Sequence, residues 1–283
     1  MSELPGPMTP TKTTTIDTGR GGLYAEIFEP SGDPKGVAVV THGYFEHCGR
    51  YRELAHVIAN AGWIALTYDV RGHGLSPGAR GFIERFEEYI DDYRRVLEAA
   101  RKLAPSKPLV LIGHSHGSLI TLRALSDERP PDAKAAIVSS PYLGMKAPVP
   151  SWKKVLGKVA SRVAPALTQP NPLKAEDLTH DQTKIAERLA DKMCFEVVPA
   201  RWFTESNAAQ EYVAAHADRI KIPTTWLVGG ADTIADPATS KRVAARVSGA
   251  HYHDLVGLKH EVFNEVERGK VFAEVTKVLS SVS

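Results

Sequence analysis

From Gly36 to Val256, short apolar runs rich in β-branched residues alternate with segments of helical periodicity, and that alternation leaves few possible architectures. Gly36–Thr41 (GVAVVT), Trp63–Tyr68 (WIALTY), Pro108–Ile112, Ala135–Val138, Thr224–Val228 and about His251–Val256 read as strands. Tyr51–Ala61 and Phe86–Ala100 read as helices. The second carries Phe86, Tyr89, Ile90, Tyr93, Val96, Leu97 and Ala100 at helical spacing. Further helices are expected after Ser115, near 239–247 and near 262–280. Such an order gives an α/β fold, a mostly parallel sheet with helices on both faces. Ligands then bind beyond the carboxyl ends of the strands. Ahead of this, residues 13–29 form two β-prone stretches around Gly19-Arg20-Gly21-Gly22, a hairpin turn.

One stretch breaks the alternation. Residues 143–207 carry little strand signal, many prolines (among them Pro148, Pro150, Pro165, Pro170 and Pro172) and several helix-like pieces. A break this long is not bare loop in a compact domain, so it reads as a helical cap or lid inserted after the strand ending near Ser139. The main domain is then 13–142 with 208–283. Within the cap, Trp152, Val155, Leu156, Val159 and Val163 form an apolar stripe, with Lys153, Lys154, Lys158 and Arg162 mostly elsewhere. The plainer expectation packs that stripe over the main domain. The alternative lays it into a lipid surface.

A net charge of +2 without a long basic run argues against a nucleic-acid partner. Two distant cysteines, Cys48 and Cys194, suggest neither a disulfide framework nor a metal site and read as small buried hydrophobes. The N-terminus lacks the pattern of a secretory signal, and no window nears ~18 uninterrupted apolar residues. The expected compartment is the cytoplasm, with peripheral membrane contact through the cap left open, as is the oligomeric state. Residues 1–12 are expected to be loosely attached.

Chemistry concentrates at turns that follow strands. Gly113-His114-Ser115-His116-Gly117 fits G-x-S-x-G between an apolar strand (LVLI) and a helix-like run (SLITLRAL). A serine on that strained turn is a nucleophile candidate. It needs a base within hydrogen-bond reach, and His260 in the loop after the last strand takes that place. Asp232, after the strand TTWLV, can orient the imidazole. His251 and His253 lie inside the last strand and Asp236 reads as a helix cap, so all three rank below. An oxyanion requires two backbone N–H groups. His116 offers one and Tyr44 the other, with Phe45 as second choice. The Tyr44 and Phe45 rings can line the acyl pocket, and His114 is a further pocket candidate.

His42-Gly-Tyr-Phe-Glu46-His47-Cys-Gly-Arg50-Tyr51 resembles the H-G-x-x-E-H-x-x-R-Y segment of monoacylglycerol lipases and their lysophospholipase-like relatives, which have the α/β-hydrolase fold. Asp69–Gly81 is similar to the same family's D-x-R-G-H-G-x-S-x-G-x-R-G, and His260-Glu261 with Asn264-Glu265 resembles its H-E-x-x-N-E ending. The resemblance implies hydrolysis of monoacyl lipid esters by Ser115, Asp232 and His260 without cofactor, with Tyr44 and His116 as oxyanion donors. Two positions depart from it: Ser118 replaces a second glycine, and His116 replaces a more usual apolar residue. Glu46, His47, Arg50, Arg71 and His73 are assigned to loop structure around the site. Another acyl ester, thioester or amide as substrate stays open, as does a binding protein without chemistry.

Overall fold

The computed structural model describes residues 9–147, 149–170 and 173–282; residues 1–8, Pro148, Asn171, Pro172 and Ser283 lie outside it, as do the Ser151 and Lys154 side chains. The chain opens with an antiparallel hairpin, β1 (Lys12–Asp17) and β2 (Gly22–Phe28), with Lys12 opposite Ile27. Lys12 is therefore already part of the sheet rather than loosely attached. Then follow β3 (Val37–Thr41), α1 (Arg52–Asn60), β4 (Ile64–Tyr68), α2 (Glu87–Leu103), β5 (Leu109–His114), α3 (His116–Leu125) and β6 (Ala135–Ser139). The chain leaves the sheet for α4 (Ser151–Val163), β7 (Thr168–Pro170), α5 (Gln182–Ala190), β8 (Val197–Pro199) and α6 (Ala200–His216). It returns for β9 (Thr224–Gly229), α7 (Pro237–Ala244), β10 (Ala250–Leu255) and α8 (Arg268–Ser281).

The eight strands lie in the order β1-β2-β4-β3-β5-β6-β9-β10, parallel from β4 through β10. The strands β3 to β6 and β9 are buried throughout, which explains their unbroken apolar runs. One face packs against α1 and α8 through Leu54, Ile58, Phe272 and Val275. The other packs against α2, α3, α6 and α7 through Tyr93, Val96, Leu119, Leu122, Val213 and Val243. Strand order reverses at β3, so the carboxyl ends of β3, β5 and β9 open onto one crevice.

The inserted segment differs from expectation in two ways. Its last helix, α6, runs from Ala200 to His216 and so crosses the boundary placed at 207. The apolar stripe of α4 is not packed down: Trp152, Val155, Leu156, Val159 and Val163 are all half-exposed or more. The other face of α4 docks on α6, with Gly157 near Phe203 and Ser161 Oγ 2.8 Å from Thr204 Oγ1. Arg201 reinforces this by donating to the Ser161 carbonyl at 2.7 Å. Small and hydroxyl side chains allow close approach and supply the hydrogen bonds, which a stripe of branched apolar residues cannot.

Candidate active site

Ser115 begins where β5 ends, with φ +50° and ψ −113°. No L residue adopts that conformation without strain, and the neighbouring glycines make it possible. A Cβ on Gly117 would lie 2.1 Å from the Thr41 carbonyl oxygen, and one on Gly113 would lie 2.7 Å from the Gly117 carbonyl oxygen. Ser118, the departure from the family pattern, ties the turn down. Its hydroxyl donates to the Gly113 carbonyl at 2.7 Å and accepts from the Ser139 N–H at 3.1 Å.

Three distant side chains meet at this turn. His260 Nε2 lies 2.9 Å from Ser115 Oγ, and His260 Nδ1 lies 2.7 Å from Asp232 Oδ2. Asp232 is itself fixed, because its Oδ1 accepts from the Ile234 N–H at 2.8 Å and the Ala235 N–H at 3.0 Å. Asp236 instead caps α7, accepting from the Ala238 and Thr239 N–H groups. His251 and His253 lie within β10. All three bonded side chains are buried. Burial disfavours the His260 imidazolium, but Asp232 and then Glu261 and Glu46 outweigh it and hold the pKa above its ordinary value.

The backbone N–H groups of Tyr44, which follows the Gly43 that packs on Ser115, and of His116, which follows Ser115, have no acceptor among the described residues. His116 is the first residue of α3, where an N–H has no intrahelical partner. A Cβ on Gly43 would lie 2.7 Å from Glu46 Oε1, the acceptor of the Gly43 N–H, so Glu46 would have to shift to admit a side chain. Phe45 has φ +69°, and its ring packs on Tyr44 and on Phe195 of the inserted segment. His114, expected in the pocket, lies behind His260 at 4.9 Å between ring centroids, with Nδ1 3.0 Å from Ser139 Oγ. Burial keeps it neutral, far below its usual pKa.

The motif residues around the loop form a closed charged network. Glu46 accepts from the Gly43 N–H and the Tyr51 hydroxyl, both at 2.6 Å, and from Arg50 Nε at 3.1 Å. Arg50 Nη2 reaches Glu261 at 2.6 Å, and Glu261 also accepts from Asn264 at 3.0 Å. Burial and the Glu261 charge push the Glu46 pKa up. Burial works against the Glu261 carboxylate as well, yet Arg50 holds its pKa down at about 2. One arginine thus joins the turn bearing Tyr44 to the loop bearing His260. Arg71 pairs with Asp92, and His73 donates to the Arg71 carbonyl.

Opposite this network the inserted segment closes over the turn. Trp202, in which the sequence shows no local signal, stacks on Tyr44 at 3.7 Å between centroids and on Tyr142 at 5.9 Å. His47 Nε2 bonds Asp191 Oδ2 at 2.6 Å, and the Phe195 N–H donates to the Phe45 carbonyl at 3.3 Å. His47, Asp191 and Cys194 lie close enough to share a metal ion. However, His47 Nδ1 accepts from the Gly49 N–H at 3.2 Å, so Nε2 carries the proton that Asp191 receives. A metal-bound histidine needs an acceptor behind it instead, so the group fits a latch better than a ligand set. Cys48 is buried and Cys194 half-buried.

The sequence matches the family described as "Serine aminopeptidase, S33" (Hydrolase_4) over residues 32–267. The chain belongs to this family. It is a serine ester hydrolase of the α/β-hydrolase fold and is monoacylglycerol-lipase-like. It is 31% identical to a monoacylglycerol lipase of Mycolicibacterium smegmatis over 268 residues, 93% of this chain and 95% of that one. It is 30% identical to the phospholipase YtpA of Bacillus subtilis over 84% of this chain and 93% of that one. The structure resembles the monoacylglycerol lipase of Paleococcus ferrophilus with a TM-score of 0.82 at 28% identity, covering 92% of this chain and 99% of that one. Among the described residues of this family member, no helix is long and apolar enough to cross a membrane.

Proposed function

We propose that the chain hydrolyses monoacyl lipid esters through a Ser-His-Asp triad and an acyl-enzyme. The observation that supports this most is the unbroken chain of hydrogen bonds from Ser115 Oγ through His260 to Asp232. His260 takes the Ser115 proton as the oxygen attacks the ester carbonyl. The Tyr44 and His116 N–H groups receive the developing oxyanion, each contributing on the order of 3 kcal/mol. The alcohol departs with the proton from His260, and water releases the acyl group by the same route. The monoacylglycerol lipase and phospholipase names of the relatives support a monoacyl lipid over a peptide.

The segment between β6 and β9 acts as a lid in this reading. Its exposed α4 stripe, flanked by exposed Lys153 and Lys158, supports peripheral contact with a lipid surface. The test assays wild type and Ser115→Ala side by side on a monoacylglycerol, a lysophospholipid and a short p-nitrophenyl ester. Release from the monoacylglycerol, lost in Ser115→Ala, is expected. Activity confined to the short ester would contradict the lipid reading and leave the triad standing.

A further inference from the structure

The two sides of Ser115 are unequal. The leaving oxygen must face His260 to receive its proton, and on the other side of Ser115 stand the rings of His116, Tyr44 and Trp202. That wall is aromatic. His116 sits within about 6 Å, centroid to centroid, of Tyr44, Phe86, Tyr89 and Trp202. Yet it is not apolar. The Trp202 indole N–H points at His116 Nε2 at a long 3.4 Å, which makes that nitrogen the acceptor and assigns the ring proton to Nδ1. His116 Nδ1 is fully buried and has no partner among the described residues. Burial keeps the ring neutral. One turn further along the Trp202 face of α6, the buried Ser206 hydroxyl also has no partner among the described residues.

Buried polar atoms are ordinarily satisfied, and exceptions beside a reactive group mark where a ligand completes the set. An aliphatic chain could not do so. We propose that this wall is a subsite for an oxygen on the acyl chain, so that the preferred substrate is a monoester of a hydroxylated acyl group. The inference rests on the Ser115 reading above and narrows its substrate class. The His116 Nδ1–H donates to the substrate hydroxyl oxygen, and the Ser206 hydroxyl extends the polar surface along α6. His116 thus has two tasks, with its backbone N–H for the oxyanion and its ring for the chain.

The test compares kcat/KM for the glycerol monoesters of butyrate, β-hydroxybutyrate and laurate in wild type, His116→Met and Ser206→Ala. Wild type should favour β-hydroxybutyrate over butyrate by about tenfold or more, because a site built to bond a hydroxyl rejects the analogue lacking it. In His116→Met that ratio should fall to near unity while laurate gains relative to butyrate. Equal rates on the two short esters in wild type would overturn the proposal, as would a preference that survives both substitutions. The wild-type series needs no variant, so it decides even if His116→Met does not fold. Hydrolysis of these esters that persists in Ser115→Ala would instead overturn the underlying reading, and the subsite with it.

Discussion

The walls on either side of Ser115 solve different problems. Behind His260, Glu46, Arg50 and Glu261 are buried charges in which every partner is accounted for. Around His116 the groups are neutral rings, and polar atoms are left over. A paired charge network cannot shift without exposing an unpaired ion, so it holds two loops in register. A neutral wall with spare hydrogen-bonding capacity can receive something. The difference separates a part that positions from a part that recognises.

The largest effect that sharpens this contrast is on stability. Arg50→Met leaves two buried carboxylates without their cation, and unfolding in urea should show a loss of about 3–5 kcal/mol. His116→Met removes no charge partner and should cost far less. Equal losses would erase the distinction between the walls.

A smaller effect concerns pH. Asp232, Glu261 and Glu46 raise the His260 pKa against the effect of burial. His260 must be neutral to accept the Ser115 proton, so activity rises with pH through that raised value. Glu261→Gln removes one negative charge, which lowers the His260 pKa and moves the acid limb of kcat/KM to lower pH. His116→Gln alters no charge near His260 and should leave the limb in place. An acid limb that stays put in Glu261→Gln, or moves to higher pH, would contradict this electrostatic account.

The smallest effect lies farthest from the chemistry. Trp152→Ser with Val155→Ser should weaken co-sedimentation with anionic vesicles while leaving hydrolysis of a dissolved short ester within about twofold. Unchanged co-sedimentation would show that the α4 stripe serves no lipid surface.

How much of this was legible follows from the range of the interactions. Gly113, Ser115 and Gly117 announce themselves because a strained turn leaves few residue types possible locally. His260 and Asp232 could be chosen because each follows a strand whose place in the sheet is readable from its apolar run. The inserted segment could not be read that way. Amphipathicity showed that α4 has two unlike faces, but the side that docks was decided by Gly157 and Ser161 meeting Phe203 and Thr204 of α6. Trp202 over Tyr44, Asp191 against His47 and His180 against Glu265 join residues far apart in the chain, and no periodicity records such pairings. His114 shows the same limit. Its position beside Ser115 was visible, but the direction of its side chain, toward Ser139 and behind His260, depends on β6.

In the proposed function Ser115, activated by His260, carries the ester chemistry. Intact-protein mass spectrometry after partial reaction with a fluorophosphonate tests it most directly, read against residual hydrolysis of a glycerol monoester. A single adduct on Ser115, activity lost in proportion to labelling, and no adduct in Ser115→Ala are expected. Full labelling of Ser115 with hydrolysis retained, or an adduct that persists in Ser115→Ala while activity falls, would contradict it.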